Sequence, residues 1–149
     1  MTRLATSHGS AQESPGLLLW QVTNRWQAAV RASLKPFELT HVQFVLLASL
    51  TYLAGEGVVS QKQLADHAAT DPMMTSQVLR TLESKGWVAR DADPHDGRAK
   101  AVRVTAEGSS LANRAVVAVE QCDRDFFVRL DGDLPALTAS LRMLADSYR

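Results

Sequence analysis

Between Asp71 and Gly86, the residues Met73, Ser76, Gln77, Arg80 and Ser84 recur at i, i+3, i+4, i+7 and i+11. That spacing brings side chains to one face of a helix. The face carries two hydroxyls, an amide, one guanidinium and a thioether, with almost no aliphatic bulk. Hydroxyls, Gln and Arg suit base edges and phosphates in a major groove, and a Met can lie against a thymine methyl. On composition alone an ordinary solvated helix face fits equally well.

The element that would position these groups has its own start and stop signals. Asp71 can cap, Pro72 fits the first helical position and Gly86 ends the helix. Thr75, Val78, Leu79 and Leu82 form the opposite, buried stripe. After it come two strand-like runs, Trp87-Val88-Ala89-Arg90 and Lys100-Ala101-Val102-Arg103-Val104, separated by a tip with Asp-Pro and Asp-Gly turn signals. Such a hairpin must pack on the preceding helix, through Trp87 and Val102 or Val104. It would hold Arg98 and Lys100 on a projection suited to a narrow minor groove, where negative potential concentrates.

Upstream, Ser60-Gln61-Lys62-Gln63 is a capping box opening a short helix with Leu64, Ala65 and Ala68 inward. With a turn at Ala69-Thr70 and the Asp71 helix, this makes a helix-turn-helix whose first half grips phosphate. The expected DNA contacts are Lys62, Met73, Thr75, Ser76, Gln77, Arg80, Arg98 and Lys100; Thr75 stands in this set and in the buried stripe alike.

The chain has 149 residues, 46% of them apolar, which fits one domain with a real core. Sixteen basic residues balance sixteen acidic ones, so bulk charge does not favour nucleic acid. Affinity would have to come from placed cations and a second copy of the chain. A single cysteine, Cys122, excludes an intramolecular disulfide, and no Cys/His cluster has zinc spacing. No nucleophile-elbow, zinc-protease, Walker or dinucleotide fingerprint marks an enzyme, and no cofactor is expected. No apolar run reaches membrane-span length and the N-terminus lacks a signal-peptide core, so no membrane partner and a cytoplasmic location are expected.

The remaining segments read as helices. Residues 1–14 are polar and expected to be poorly ordered. From Pro15 to about Pro36, Leu18, Val22, Trp26, Ala29 and Val30 share a face. Thr40-His41-Val42-Gln43 is a second capping box, before an apolar helix ended by Gly55 and Gly57, and Val58-Val59 could form a short strand. Thr105 caps a helix expected to run unbroken for about 25 residues through Leu130, roughly 37 Å long. After Asp131-Gly132-Asp133, a last helix carries Leu134, Leu137, Leu141, Leu144 and Tyr148 at helical spacing.

Several motifs together carry a family resemblance. They are Leu39-Thr40-x-x-Gln43-Phe44-x-x-Leu47, Gln63-Leu64-Ala65, and Leu82-Glu83-x-Lys85-Gly86-Trp87-Val88-x-Arg90. The most specific is Asp93-Pro94-x-Asp96-Gly97-Arg98-x-Lys100, followed by Val104-Thr105-x-x-Gly108. Over roughly residues 15–148 the chain resembles MarR-family winged helix-turn-helix transcriptional regulators. The implied fold is mainly α with a small β-hairpin wing (α+β). A winged lobe at 40–105 would sit beside a dimerisation lobe built from the terminal helices, 15–36 and 106–149.

The resemblance implies a homodimer binding a pseudo-palindromic operator in double-stranded DNA, acting as a repressor. It places Arg98 in the minor groove, with Asp96 and Asp93 supporting the wing. Pro72-Met73-Met74 departs from the small polar or charged residues usual there, which implies a different operator preference. It also implies release by small aromatic or anionic effectors bound between the dimer helices and the winged lobe, where Trp20, Trp26 and His41 are the candidates. Two other readings are a winged-helix protein-interaction module without DNA binding and an oxidant sensor acting through Cys122. For Cys122, mid-way along an apolar face, an inert buried thiol is the simpler expectation.

Overall fold

The computed structural model describes residues 3–92 and 100–147. Six α-helices are joined in chain order: α1 Pro15–Leu34, α2 His41–Leu53, α3 Gln61–Ala68, α4 Pro72–Ser84, α5 Ala106–Phe127 and α6 Leu134–Asp146. Three short strands, β1 Val59–Ser60, β2 Val88–Ala92 and β3 Lys100–Val104, form an antiparallel sheet in the order β1-β3-β2. The hairpin expected from sequence is present, and β1 adds a third strand by pairing Val59 with Val102. The strand expected at Val58-Val59 therefore lies one residue later, because Val59 is the residue whose side chain enters the core.

Local chemistry sets most boundaries. Thr40 and Ser60 each accept from the backbone N–H three residues on, and Gln43 and Gln63 return the bond to the caps. Both capping boxes thus satisfy donors that a helix start leaves unpaired. Helix α4 ends in a motif in which Trp87 N–H bonds the Leu82 carbonyl and Gly86 N–H the Glu83 carbonyl. Gly86 takes φ +78 there, a left-handed conformation that glycine adopts without strain.

The core gathers around α2, which packs against α1, α3, α4, α5 and β3. Leu34, Leu46, Leu47, Leu50, Leu64, Leu79 and Leu82 are fully buried. Each such leucine contributes about 1.5 to 3 kcal/mol by leaving water. Val88 and Val102 seal the base of the sheet, with Trp87 and Val104 half-buried against them. The α4 stripe packs inward as its spacing predicts.

Two departures from the sequence reading stand out. Helix α5 stops at Phe127 after 22 residues, and a 3-10 turn over Val128–Asp133 follows, so the expected unbroken run to Leu130 is shorter. The backbone leaves α-helical geometry at Phe127, with φ −90 and ψ 3, and Asp131, with φ 47 and ψ −116, then turns the chain before α6. Secondly, α6 buries none of its residues, and the first two turns of α1 are exposed as well. No single helix among the described residues is long and apolar enough to cross a membrane.

Candidate nucleic-acid interface

The candidate reading face of α4 lies at the surface. Met73 is 71% exposed, Gln77, Arg80 and Ser84 are exposed, and Ser76 is half-buried. Among the described residues Arg80 makes no ion pair, so its guanidinium stands free. Asp71 caps the helix by accepting from Met73 N–H at 2.8 Å.

Thr75 is a correction. It is completely buried, and its hydroxyl donates to the Asp71 carbonyl at 2.8 Å while meeting the Thr70 hydroxyl at 2.7 Å. A hydroxyl committed to the turn between α3 and α4 has nothing to offer a base edge. Its place in the apolar stripe, not its polarity, decided its position. Thr75 instead ties the first turn of α4 to Thr70 in the turn before it.

Helix α3 begins beside α4 and presents Lys62 outward. The ammonium pairs with Asp66 at 2.9 Å, one helical turn on, with both side chains mostly exposed. An exposed pair of this kind is worth little, so the cation is readily given up to a phosphate. Lys100 begins β3 and pairs with Ala92 across the hairpin. Arg98 and the wing-supporting Asp93 and Asp96 lie outside the described residues.

The strand pair is fastened to the body at its base and again at Arg90. At its base, Thr105 N–H bonds the Trp87 carbonyl at 3.0 Å, and the Thr105 hydroxyl reaches the carbonyls of Gly86 and Trp87 at 2.8 and 3.1 Å. The same hydroxyl accepts from Gly108 N–H, capping α5. Further out, Arg90 contacts Glu83 of α4 and Gln61 of α3, a junction the sequence reading did not single out. Its sequence signals were the seven-residue separation of two opposite charges around a turn and their place together in the Leu82-to-Arg90 motif.

The effector candidates separate into two places. Trp26 and His41 meet edge to face with centroids 5.1 Å apart, and the Trp26 indole N–H donates to Asp123 of α5 at 2.8 Å. Burial lowers the His41 pKa and the Arg31 charge lowers it further, with Asp123 opposing. Trp20, by contrast, is 68% exposed on the N-terminal half of α1. A cleft of about 610 Å³ lies elsewhere, between the α1–α2 corner and the start of α5, with Phe37, Trp87, Leu111 and Arg114 in its walls. None of Trp20, Trp26 and His41 borders it.

Cys122 is half-buried, and burial pushes its thiol pKa up, aided by the carboxylates of Asp123 and Asp125 against the Ser33 hydroxyl. A thiol held protonated is a poor nucleophile toward oxidants. No His/Cys/Asp/Glu cluster among the described residues could hold a metal ion.

Comparison with known proteins agrees with this geometry. The MarR family model matches residues 39–100, the helix-turn-helix and wing. The uncharacterized HTH-type transcriptional regulator YdcH of Bacillus subtilis is 46% identical over 115 residues, covering 76% of this chain and 78% of that protein. An HTH-type transcriptional repressor of Mycobacterium tuberculosis is 38% identical over 123 residues, covering 82% and 86%. The fold also matches Bordetella bronchiseptica BpsR, solved in a study of how 6-hydroxynicotinic acid regulates its DNA binding. There the TM-score is 0.84 at 26% identity, with 95% of this chain and 99% of that one covered. The capped helix pair, the three-stranded wing base and these similarities establish that the chain belongs to the MarR family of winged helix-turn-helix transcriptional regulators, which bind DNA and are not enzymes.

Proposed function

We propose that this regulator is a homodimeric repressor whose two α4 helices enter successive major grooves of a pseudo-palindromic operator. The observation that carries the reading is the apolar surface at both ends of the chain. Leu17, Leu18, Leu19, Trp20 and Val22 of α1 and Leu134, Leu141, Met143 and Leu144 of α6 are all exposed. Apolar area of this extent on a single chain marks an interaction surface, and closure by a two-fold copy is the commonest way to bury it. Residues 15–36 and 106–149 would then form the dimerisation lobe and residues 40–105 the DNA-binding lobe.

Dimerisation also supplies what the neutral net charge lacks. Two copies double the phosphate contacts from Lys62, Arg98 and Lys100, and place the recognition helices about 34–36 Å apart, one turn of duplex. Met73, Ser76, Gln77 and Arg80 would read the base edges, with Asp93 and Asp96 holding the wing.

Because the terminal helices set that spacing, a ligand that favours another lobe angle must weaken DNA binding by linkage. BpsR, regulated by 6-hydroxynicotinic acid, supports a small aromatic or anionic effector here too. Trp26 and His41, joined across α1 and α2, are its nearest candidate contacts, with Trp20 contributing only if a partner chain covers it.

The test is sedimentation of the wild type beside Leu141→Asp/Leu144→Asp. The wild type should sediment as a dimer and bind duplex DNA; the variant should be a folded monomer with no operator binding. A folded variant that binds like wild type overturns the assignment of the interface.

A further inference from the structure

Resting on the DNA-binding reading above, we infer that Arg90 is a positioning residue that sets the wing against the recognition helix by holding Glu83 and Gln61 at once. From β2 its guanidinium reaches both α3 and α4, the other two elements that reading brings to the duplex. Nη2 lies 3.4 Å from Glu83 Oε1 at the end of α4, and Nη1 lies 3.4 Å from Gln61 Oε1 at the start of α3. Arg90 itself stands in the middle of β2, the strand that leads into the wing. The other oxygen of Glu83 accepts from Arg90 backbone N–H at 3.2 Å. One carboxylate therefore grips both the side chain and the main chain of a single strand residue, which fixes the strand in translation and in roll.

Register explains why the side chain faces inward. Arg90 pairs with Val102, the β3 residue that also pairs with Val59 of β1. It lies two residues beyond the buried Val88, on the same face of β2. The face is apolar at Val88 and turns polar at Arg90, where it meets the ends of α3 and α4. The Arg90 side chain is 11% exposed and that of Glu83 41%.

Stability alone does not account for this arrangement. The Nε of Arg90 is buried without a hydrogen-bond partner among the described residues, and such a group costs free energy. An ion pair whose carboxylate is 41% exposed adds little to stability. What a planar guanidinium offers, and an apolar or point-charge side chain does not, is simultaneous reach to two acceptors in fixed geometry.

The experiment replaces the pair by apolar residues without changing net charge, as Glu83→Leu/Arg90→Met. Nitroxide labels on cysteines at Ser84 and Ala92, both exposed, in a Cys122→Ser background report the α4-to-strand distance. The inference expects one narrow distance in the parent and a broadened or displaced one in the double variant, with the melting temperature retained. Affinity for a duplex selected from a random library should fall about ten-fold or more, the scale of a lost DNA contact. An unchanged distance, or affinity within about two-fold of the parent in a folded variant, overturns it.

Glu83→Leu alone separates positioning from bulk electrostatics. Removing an anion near DNA should tighten binding if charge is all that matters, whereas positioning requires weaker binding, and tighter binding overturns the inference. If the double variant does not fold, Arg90→Lys keeps the charge without the fork. It should lose affinity and broaden the label distance, and unchanged values for both contradict the role. Should the parent bind no duplex at low salt, the DNA reading fails by itself, and the label distance still decides whether Arg90 positions the strand.

Discussion

A Cβ placed on Gly108 would stand 2.1 Å from the carbonyl oxygen of Trp87. The first turn of α5 thus lies directly against the backbone where α4 hands over to the wing, and only glycine permits the approach. The same Trp87 carbonyl accepts from Thr105 N–H, so the two residues of the Thr105-x-x-Gly108 motif act on one atom. Gly108→Ala must push the helix off the wing base. The expected cost is about 3 kcal/mol, at the upper end of the range for overpacking, because backbone has to move. Urea denaturation of the variant measures it, and a loss below about 0.5 kcal/mol would mean the contact relaxes freely.

The turn between α3 and α4 carries a residue in the wrong conformation for its type. Thr70 N–H bonds the Ala65 carbonyl and Ala69 N–H the Asp66 carbonyl, the same closure seen at Gly86, yet Ala69 occupies it at φ 54. A left-handed alanine costs about 1 to 2 kcal/mol, part of which glycine returns through its freer unfolded chain. Ala69→Gly should therefore stabilise the protein by about 0.5 to 1 kcal/mol, read as a higher melting temperature. DNA affinity should hold, since Ala69 carries no reading group.

Cations on the DNA-facing surface should divide by role. Arg80→Ala should cost about 1 to 3 kcal/mol of operator binding and relax the preference at its base position. Lys62→Ala should weaken all sequences alike and reduce the salt slope by about one. Arg98→Ala should lose affinity on the scale of Arg80, most strongly where the minor groove is narrow. Anisotropy titrations at several salt concentrations against matched and scrambled duplexes distinguish these patterns.

His41 should make stability depend on pH. Burial and Arg31 hold its folded pKa below the ordinary 6.5, with Asp123 opposing. The unfolded chain therefore binds the proton first as pH falls, and stability present above pH 6.5 is lost progressively from there down to the depressed folded value. Thermal melts from about pH 7.5 downward should show this decline beginning near the ordinary histidine pKa of about 6.5. In His41→Gln the same melts should be flatter.

Residues that act through local rules were legible in the sequence. Thr40-Gln43, Ser60-Gln63, Asp71-Pro72 and Gly86 announced four helix ends, and the alternation around Val88 and Val102 announced the wing base. What stayed hidden needs distance through space. The burial of Thr75 followed from its place in the apolar stripe, but that its hydroxyl is taken up by Asp71 and Thr70, leaving nothing for a base edge, did not. Arg90 could not be joined to Gln61, 29 residues earlier, without knowing that β2 returns to the start of α3. Trp20 and Trp26 are the same residue type on one helix, yet only Trp26 meets α2 and α5, through His41 and Asp123. The early end of α5 at Phe127 is a backbone conformation that residue type alone does not announce.

Selection of bound duplexes from a random library by the wild-type chain tests the central claim most directly. A dimer carrying two α4 helices at fixed separation should enrich an inverted repeat whose half-site centres lie about 10 to 10.5 base pairs apart. Recovery of no enriched sequence, or of a single half-site without its inverted mate, would contradict it.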